Sequence, residues 1–128
     1  MSKEKFLLEY DFKTVSPSIL WGFLSTPAGL EEWFAEKVEC DDKEYIFYWN
    51  KTPQVAHLLN SRIGVFVRFH WLEDGNDRTF FEMRITNSEL TGTTILSITD
   101  FANVDEKDDL QELWDNEIER LQRRLGVL

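Results

Sequence analysis

The sequence predicts an α+β domain in which a curved antiparallel sheet of about six to seven strands wraps around a long C-terminal helix. Three patterns lead to this prediction: short segments that alternate apolar and polar residues, two adjacent helix starts marked by prolines, and one long amphipathic stripe at the end of the chain. The apolar face of an antiparallel sheet must be covered, and only the final helix is long and apolar enough to cover it.

The chain begins with a predicted strand. Phe6, Leu8, Tyr10 and Phe12 alternate with more polar neighbours, and this period of two is typical of a strand with one buried face. The first strand therefore belongs to the sheet.

Two short helices follow this strand. Ser16 and Thr26 are good N-cap residues, and each is followed by a proline at the first helical position, where the missing N–H costs nothing. Apolar residues recur at helical spacing in both segments: Ile19, Leu20, Phe23 and Leu24, then Leu30, Trp33 and Phe34. Because a continuous helix cannot turn a corner, we expect the pair to close one end of the curved sheet.

The middle of the chain predicts a meander. The predicted strands cover residues 36–40, 44–50, 55–60, 65–71, 81–85 and 93–101. Turn residues separate them at 41–42, 51–53 and 74–77. The last strand alternates too weakly for one of its faces to be assigned to the core.

A single amphipathic helix ends the chain. Its predicted apolar stripe consists of Leu110, Leu113, Trp114, Ile118, Leu121, Leu125 and Leu128. Acidic residues lie near its N-terminus and three arginines near its C-terminus, which suits the helix dipole. Asn103 and Glu106 are spaced for a capping arrangement.

Composition excludes several classes of function. The 128 residues include 24 acidic and 14 basic side chains, for a net charge of −10 and a pI near 4.6. Such a surface repels phosphate backbones, so we expect no nucleic-acid partner. The single Cys40, the mixed N-terminal segment and the lack of a long apolar run predict a cytoplasmic protein without stable membrane insertion. The oligomeric state is not predicted.

Several motifs resemble the START-like superfamily, also called SRPBCC or the Bet v-type helix-grip fold. They are residues 24–27 followed by Leu30 and Trp33-Phe34, the strand 65–71, and the two ends of the last helix at Leu113-Trp114 and 121–126. Within the superfamily the chain is most similar to homologues of the heat-shock protein 90 ATPase activator and to bacterial START-like domains without an assigned function. The resemblance covers nearly the whole chain, and we treat residues 1–128 as a single START-like domain. It implies a helix-grip fold with a cavity between the sheet and the long helix.

No catalytic, metal or cofactor site is predicted. His57 and His70 are the only histidines and lack the spacing of metal ligands, so we interpret both as surface or hydrogen-bonded residues. Asp100 is the best candidate for a buried acid, although an outward-facing carboxylate or a pair with Arg68 or Arg84 is the preferred interpretation. We identify no buried ionisable group facing a cavity, and we expect the protein not to be an enzyme.

Large apolar side chains are the candidate ligand-binding residues. Several aromatic residues share strand faces and could line an apolar pocket; core packing is the preferred interpretation for any single ring, but the set as a whole is too bulky to pack without gaps. The predicted set is Trp33, Tyr45, Phe47, Trp49, Phe69, Trp71, Phe81, Met83, Trp114 and Ile118.

Three functions follow from these observations. The first is non-enzymatic binding of a hydrophobic small molecule or lipid between the sheet and the C-terminal helix. The second is a protein-interaction role, such as chaperone-ATPase co-regulation, in which the acidic surface meets a basic partner. We rank it second because full-length activators carry an additional domain that we do not expect in this chain. The third, a cyclase-like enzyme, rests on fold analogy alone.

Overall fold

The computed structural model describes residues 3–128 and confirms the predicted α+β fold. In chain order the elements are β1 (Glu4–Asp11), α1 (Pro17–Ser25), α2 (Pro27–Leu30), β2 (Lys37–Asp41), β3 (Glu44–Trp49), β4 (Thr52–Arg62), β5 (Phe66–Trp71), β6 (Phe81–Asn87), β7 (Thr94–Ala102) and α3 (Lys107–Arg124). A short 3-10 turn, Leu72–Asp74, follows β5. Among the described residues, no helix has both the length and the apolar character needed to cross a membrane.

All seven strands form one antiparallel sheet in the order β1-β7-β6-β5-β4-β3-β2. Each strand from β3 to β7 lies beside its predecessor in the chain, whereas β1 pairs with β7, so β1 and β2 form the two edges of the sheet. Inward-facing positions on β7 are Leu96, Ile98 and Asp100, which are all buried. The structure therefore assigns the face of β7 that the sequence pattern left open.

The turn between β3 and β4 is shorter than predicted. Asn50 and Lys51 both have positive φ angles, as the central residues of a two-residue hairpin turn require. The strand β4 consequently begins at Thr52 and includes Pro53, which the sequence analysis placed in the turn. Pro53 pairs with Tyr48 on β3, and β5 reaches β4 only at Ala56. The missing N–H of Pro53 therefore costs the sheet no cross-strand bond on the β5 side.

Thr26 forms the corner between the two short helices. Its Oγ1 donates to the Gly22 carbonyl at 2.8 Å and accepts from the Gly29 N–H at 2.9 Å, so α2 is capped as predicted. Ser16 occupies the N-cap position of α1, but its hydroxyl bonds to Ser18 and makes no capping bond. A Cβ on Gly29 would lie 2.1 Å from the Gly22 carbonyl oxygen, so the two helices can approach this closely only with glycine there.

The C-terminal half of α3 is fixed to the turn that follows α2. Arg120 donates to the Trp33 carbonyl at 3.0 Å, and Arg124 contacts Glu32 at 3.4 Å. Trp114, Ile118 and Leu121 are buried as predicted, whereas Leu113 and Leu128 are 53% and 67% exposed. The predicted stripe is wrong at those two leucines. At the start of α3, the Asn103 side chain does bond to Glu106, but Glu106 itself occupies the N-cap position.

Candidate functional site

A cavity of about 600 Å³ lies between the sheet and the N-terminal half of α3. We call it the sheet–helix cavity. It is lined by Lys3, Phe34, Trp49, Gln54, Trp71, Glu73, Asp74, Phe80, Asp100, Phe101, Ala102, Glu106, Asp109, Leu110, Leu113, Trp114 and Glu117. On the sheet side the lining residues come from β3, β4, β5 and β7, and on the helix side they lie between Asp109 and Glu117 of α3.

Four rings form what we call the aromatic wall of the cavity: Phe34, Trp49, Trp71 and Trp114. The Phe34 ring lies 5.4 Å from Trp49 and 5.6 Å from Trp114, and the Trp49 and Trp71 rings are 6.1 Å apart. The Trp49 N–H donates to the Phe34 carbonyl at 2.9 Å, which holds its ring in place. The wall is therefore preorganised and mostly apolar.

Asp100 projects from β7 into the cavity. One carboxylate oxygen accepts from the Trp114 indole N–H at 2.8 Å, and the other accepts from the Phe101 backbone N–H at 2.7 Å. Burial raises the pKa of Asp100 to about 6, although these two bonds and Lys3 act in the opposite direction. Asp100 is therefore a buried acid with most of its charge present at neutral pH.

The expectation that Asp100 faces outward or pairs with an arginine is wrong. Arg68 and Arg84 instead bind Glu82, which lies on the opposite face of the sheet. Glu82 is flanked on β6 by the buried inward-facing residues Phe81 and Met83, and it is itself buried. Both arginines are thus paired with Glu82 and not with Asp100, whose carboxylate faces the cavity.

Glu117 is a second buried acid in the cavity, and sequence reasoning missed it. Its side chain comes from α3 one turn after Trp114, and the residue is 6% exposed. Burial raises the pKa of Glu117 to about 8, while Arg120 and the nearby Trp49 indole lower it and Asp100 raises it further. The helical period carried the signal, since residue 117 lies three positions after Trp114 and four before Leu121.

The rim of the cavity combines acidic and apolar side chains. Lys3 is paired with Asp74 at 2.9 Å, and Glu73, Glu106 and Asp109 add further negative charge. Leu110 and Leu113 of α3 supply apolar surface beside them. The cavity thus has aromatic walls, two buried carboxyl groups and a predominantly acidic opening.

The family follows from comparison with known proteins. A model of the START-like superfamily domain matches residues 1–127. The chain belongs to the START-like superfamily. This match confirms the resemblance that the sequence motifs indicated. A separate comparison with curated proteins found none that is significantly similar to the chain.

Solved structures share the fold of this START-like domain. Protein BfR322 from Bacteroides fragilis is 50% identical, with 97% of this chain and 92% of that chain covered and a TM-score of 0.68. The Aha1 dimer from Colwellia psychrerythraea is 16% identical, with coverages of 95% and 96% and a TM-score of 0.77. Protein MLL2253 from Mesorhizobium loti is also 16% identical, with coverages of 96% and 97% and a TM-score of 0.75. The last two comparisons show a shared fold.

The structure separates the ten predicted ligand-binding residues of this START-like domain into two groups. Trp49, Trp71 and Trp114 line the sheet–helix cavity. The other seven lie in the packed core and do not line it: Trp33, Tyr45, Phe47, Phe69, Phe81, Met83 and Ile118. Stacked and edge-to-face contacts join many of these rings, for example Phe69 with Phe81 at 5.1 Å. The rings of the core pack against the aromatic wall on its side away from the cavity.

The histidines lie where the sequence analysis expected them. His57 is exposed beside Glu44 at 3.6 Å, and both ring nitrogens of His70 bond to backbone carbonyls at 2.8 Å. Neither lines the cavity. Within residues 3–128, no group of three or more histidine, cysteine or acidic side chains is arranged to hold a metal ion.

Proposed function

We propose that this START-like domain binds a hydrophobic small molecule or lipid in the sheet–helix cavity, without catalysis and in the cytoplasm. The observation that supports this most is the cavity itself. Its volume of about 600 Å³ is in the range of small-molecule sites, which are mostly apolar with a few polar groups at defined positions. The aromatic wall and the two buried carboxyls have this composition.

The size of the cavity is sufficient for useful affinity. A ligand that buries roughly 300 Å² of apolar surface gains about 7 kcal/mol at about 25 cal/mol per Å². Part of this is offset by the loss of motion on binding. Binding in the micromolar range is therefore the expectation.

Native mass spectrometry after exposure to a bacterial lipid extract tests the proposal. We expect a retained adduct on the wild type that is lost in Leu110→Trp, because Leu110 lines the cavity and a larger ring would fill it. Leu59→Trp adds the same ring at an exposed position on β4 and should keep the adduct. The proposal fails if no adduct forms, or if both variants retain it equally.

Asp100 and Glu117 favour an enzymatic alternative that the sequence analysis could not support. Two buried carboxyls with raised pKa values are the kind of groups that general acid–base catalysis uses. We still propose binding, because the described lining offers no serine, threonine, cysteine or histidine beside them. Chemical analysis of the extracted ligand separates the two functions, since a binding protein returns it unchanged and an enzyme returns a product.

A protein-interaction role remains the other alternative. The likeness to the Aha1 dimer is one of fold, and the acidic exterior suits a basic partner surface. A pull-down from lysate that recovers a chaperone at low salt and loses it at high salt would favour this role over ligand binding.

A further inference from the structure

We propose that the sheet–helix cavity selects ligands that carry a cationic amine or ammonium group on an apolar body, with the cation beside Glu117 and the body against the aromatic wall. This inference rests on the proposed ligand-binding function and specifies the chemical class of the ligand. It follows from the charges, the hydrogen bonds and the rings of the cavity.

Glu117 has unused capacity to accept hydrogen bonds. The Trp49 N–H near Glu117 donates to the Phe34 carbonyl at 2.9 Å, and Arg120, which acts on Glu117 through its charge, donates one N–H to the Trp33 carbonyl at 3.0 Å. A buried carboxyl with few partners is costly, and an ammonium group would supply both charge and N–H donors. The position of Glu117 in the cavity lining gives a ligand access to it.

The aromatic wall suits the same kind of head group. A cation close to the face of a tryptophan ring is attracted by the ring quadrupole, and this attraction is stronger when the site excludes water. Three of the four rings in the wall are tryptophans, and one of them, Trp114, is hydrogen-bonded to Asp100. The same rings also accept an apolar chain.

The other charges around the cavity disfavour anions. Six of the lining residues are acidic: Glu73, Asp74, Asp100, Glu106, Asp109 and Glu117. Lys3 is the basic lining residue, and it is already paired with Asp74. A carboxylate or phosphate head group would therefore be repelled. A bare metal ion is also disfavoured, since the described residues form no cluster of three suitable ligands.

Binding of a cation is expected to release a proton. Without ligand, Glu117 is mostly neutral near pH 7, because burial raises its pKa to about 8. The charged groups that shift the pKa of Glu117 are Arg120 on the same helix and Asp100 on β7. The pKa of Asp100 is in turn shifted by the charges of Lys3 and Asp74. A ligand ammonium would favour the ionised form, so its affinity should rise between pH 6 and pH 8. A neutral ligand that accepts from protonated Glu117 would show the opposite trend.

Three probes with the same chain test the selection: n-decylamine, n-decanol and n-decanoate, used below their aggregation concentrations in isothermal titration calorimetry. We expect decylamine to bind at least about tenfold more tightly than decanol at pH 8, with decanoate weakest, since charge-assisted bonds are the strong ones. Equal affinities, or a preference for decanoate, would overturn the inference while leaving ligand binding supported. No binding of any probe would overturn both.

The variant Glu117→Gln tests whether this one side chain causes the preference for decylamine. It should lose most of the preference for decylamine over decanol but still bind decanol. Glu112→Gln removes one exposed charge from the same helix outside the cavity and should behave as the wild type. Indole N–H signals in NMR spectra report both folding and location: those of Trp49, Trp71 and Trp114 should shift with decylamine, and those of Trp21 and Trp33 should not. An unchanged preference in Glu117→Gln would overturn the assignment.

Discussion

The indole N–H of Trp114 donates to the Asp100 carboxylate at 2.8 Å, which joins α3 to β7 inside the domain. This bond connects the long helix to the sheet at the wall of the sheet–helix cavity. It supplies a donor to a carboxylate that burial would otherwise disfavour. The stability of the fold therefore depends on the protonation state of Asp100.

Trp114→Phe should remove this donor and destabilise the protein by about 2 kcal/mol, the scale of a hydrogen bond to a charged group. The pKa of folded Asp100 is already above its ordinary value of 3.8, and losing the indole N–H should raise it further. Since the ionised form is then less favoured in the folded state, the loss should be larger at pH 8 than at pH 5. Urea denaturation at both pH values measures it.

Trp21→Phe is the matched control for that experiment. Trp21 is partly buried on α1, and its N–H makes no hydrogen bond within the described part of the chain. A loss that is independent of pH in Trp114→Phe, or equal to the loss in Trp21→Phe, would contradict the role assigned to the bond.

Glu117→Gln should stabilise the protein most at high pH. The pKa of folded Glu117 is about 8 against an ordinary value of 4.5, so the wild type loses stability as pH rises from 4.5 to 8. Between pH 5 and pH 8 this loss is about 3 kcal/mol at about 1.4 kcal/mol for each pH unit. The advantage of the variant over the wild type should therefore grow by a similar amount across that range. Thermal unfolding in parallel with Glu112→Gln checks the sign, and a constant difference would count against it.

Glu82→Gln should have the opposite pH dependence. Burial acts to raise the pKa of Glu82, but the bonds from Arg84 and Arg68 outweigh it and lower the pKa. Stability from this group is thus present above pH 4.5 and lost as pH falls through the folded pKa. We expect a loss of about 2 kcal/mol at pH 7, the scale of a bond to a charged group, that shrinks towards pH 3. A loss that stays the same down to pH 3 in urea titrations would disprove this account.

Gly29→Ala should destabilise the corner between the short helices by about 1–3 kcal/mol, because its Cβ would clash with the Gly22 carbonyl. Gly22→Ala is the matched change on the other helix. Its Cβ would meet no atom within 4 Å, and alanine favours helix, so we expect a gain of about 0.5–1 kcal/mol. Melting temperatures of the two variants should move in opposite directions, and a shared direction would refute the close packing.

Most of the fold could be predicted because its signals are local. The period-two pattern at Phe6 and Phe12, the prolines after Ser16 and Thr26, and the stripe containing Trp114 each depend on residues close together in the chain. Errors occurred where a neighbour outside the segment decides the outcome. Pro53 could join β4 because β5 reaches β4 only at Ala56.

The candidate site was less predictable because a cavity forms where the side chains of the packed elements leave space unfilled. Phe69 and Trp71 lie on the same face of β5, yet Phe69 is packed in the core and Trp71 lines the cavity. For Asp100 the sequence favours an outward-facing or arginine-paired carboxylate, and this is wrong because the weak alternation of β7 does not show which of its faces is buried.

The sequence by itself determined the element order, the antiparallel sheet and the helix that covers it, because periodicity shows which face of each element is apolar. The tertiary structure decided which rings meet and where space remains between them. It also decided that Asp100 and Glu117 share that space. The helical period can indicate that Glu117 is buried, but the raised pKa values of the two carboxyls depend on surroundings that the chain acquires only when β7 and α3 come together.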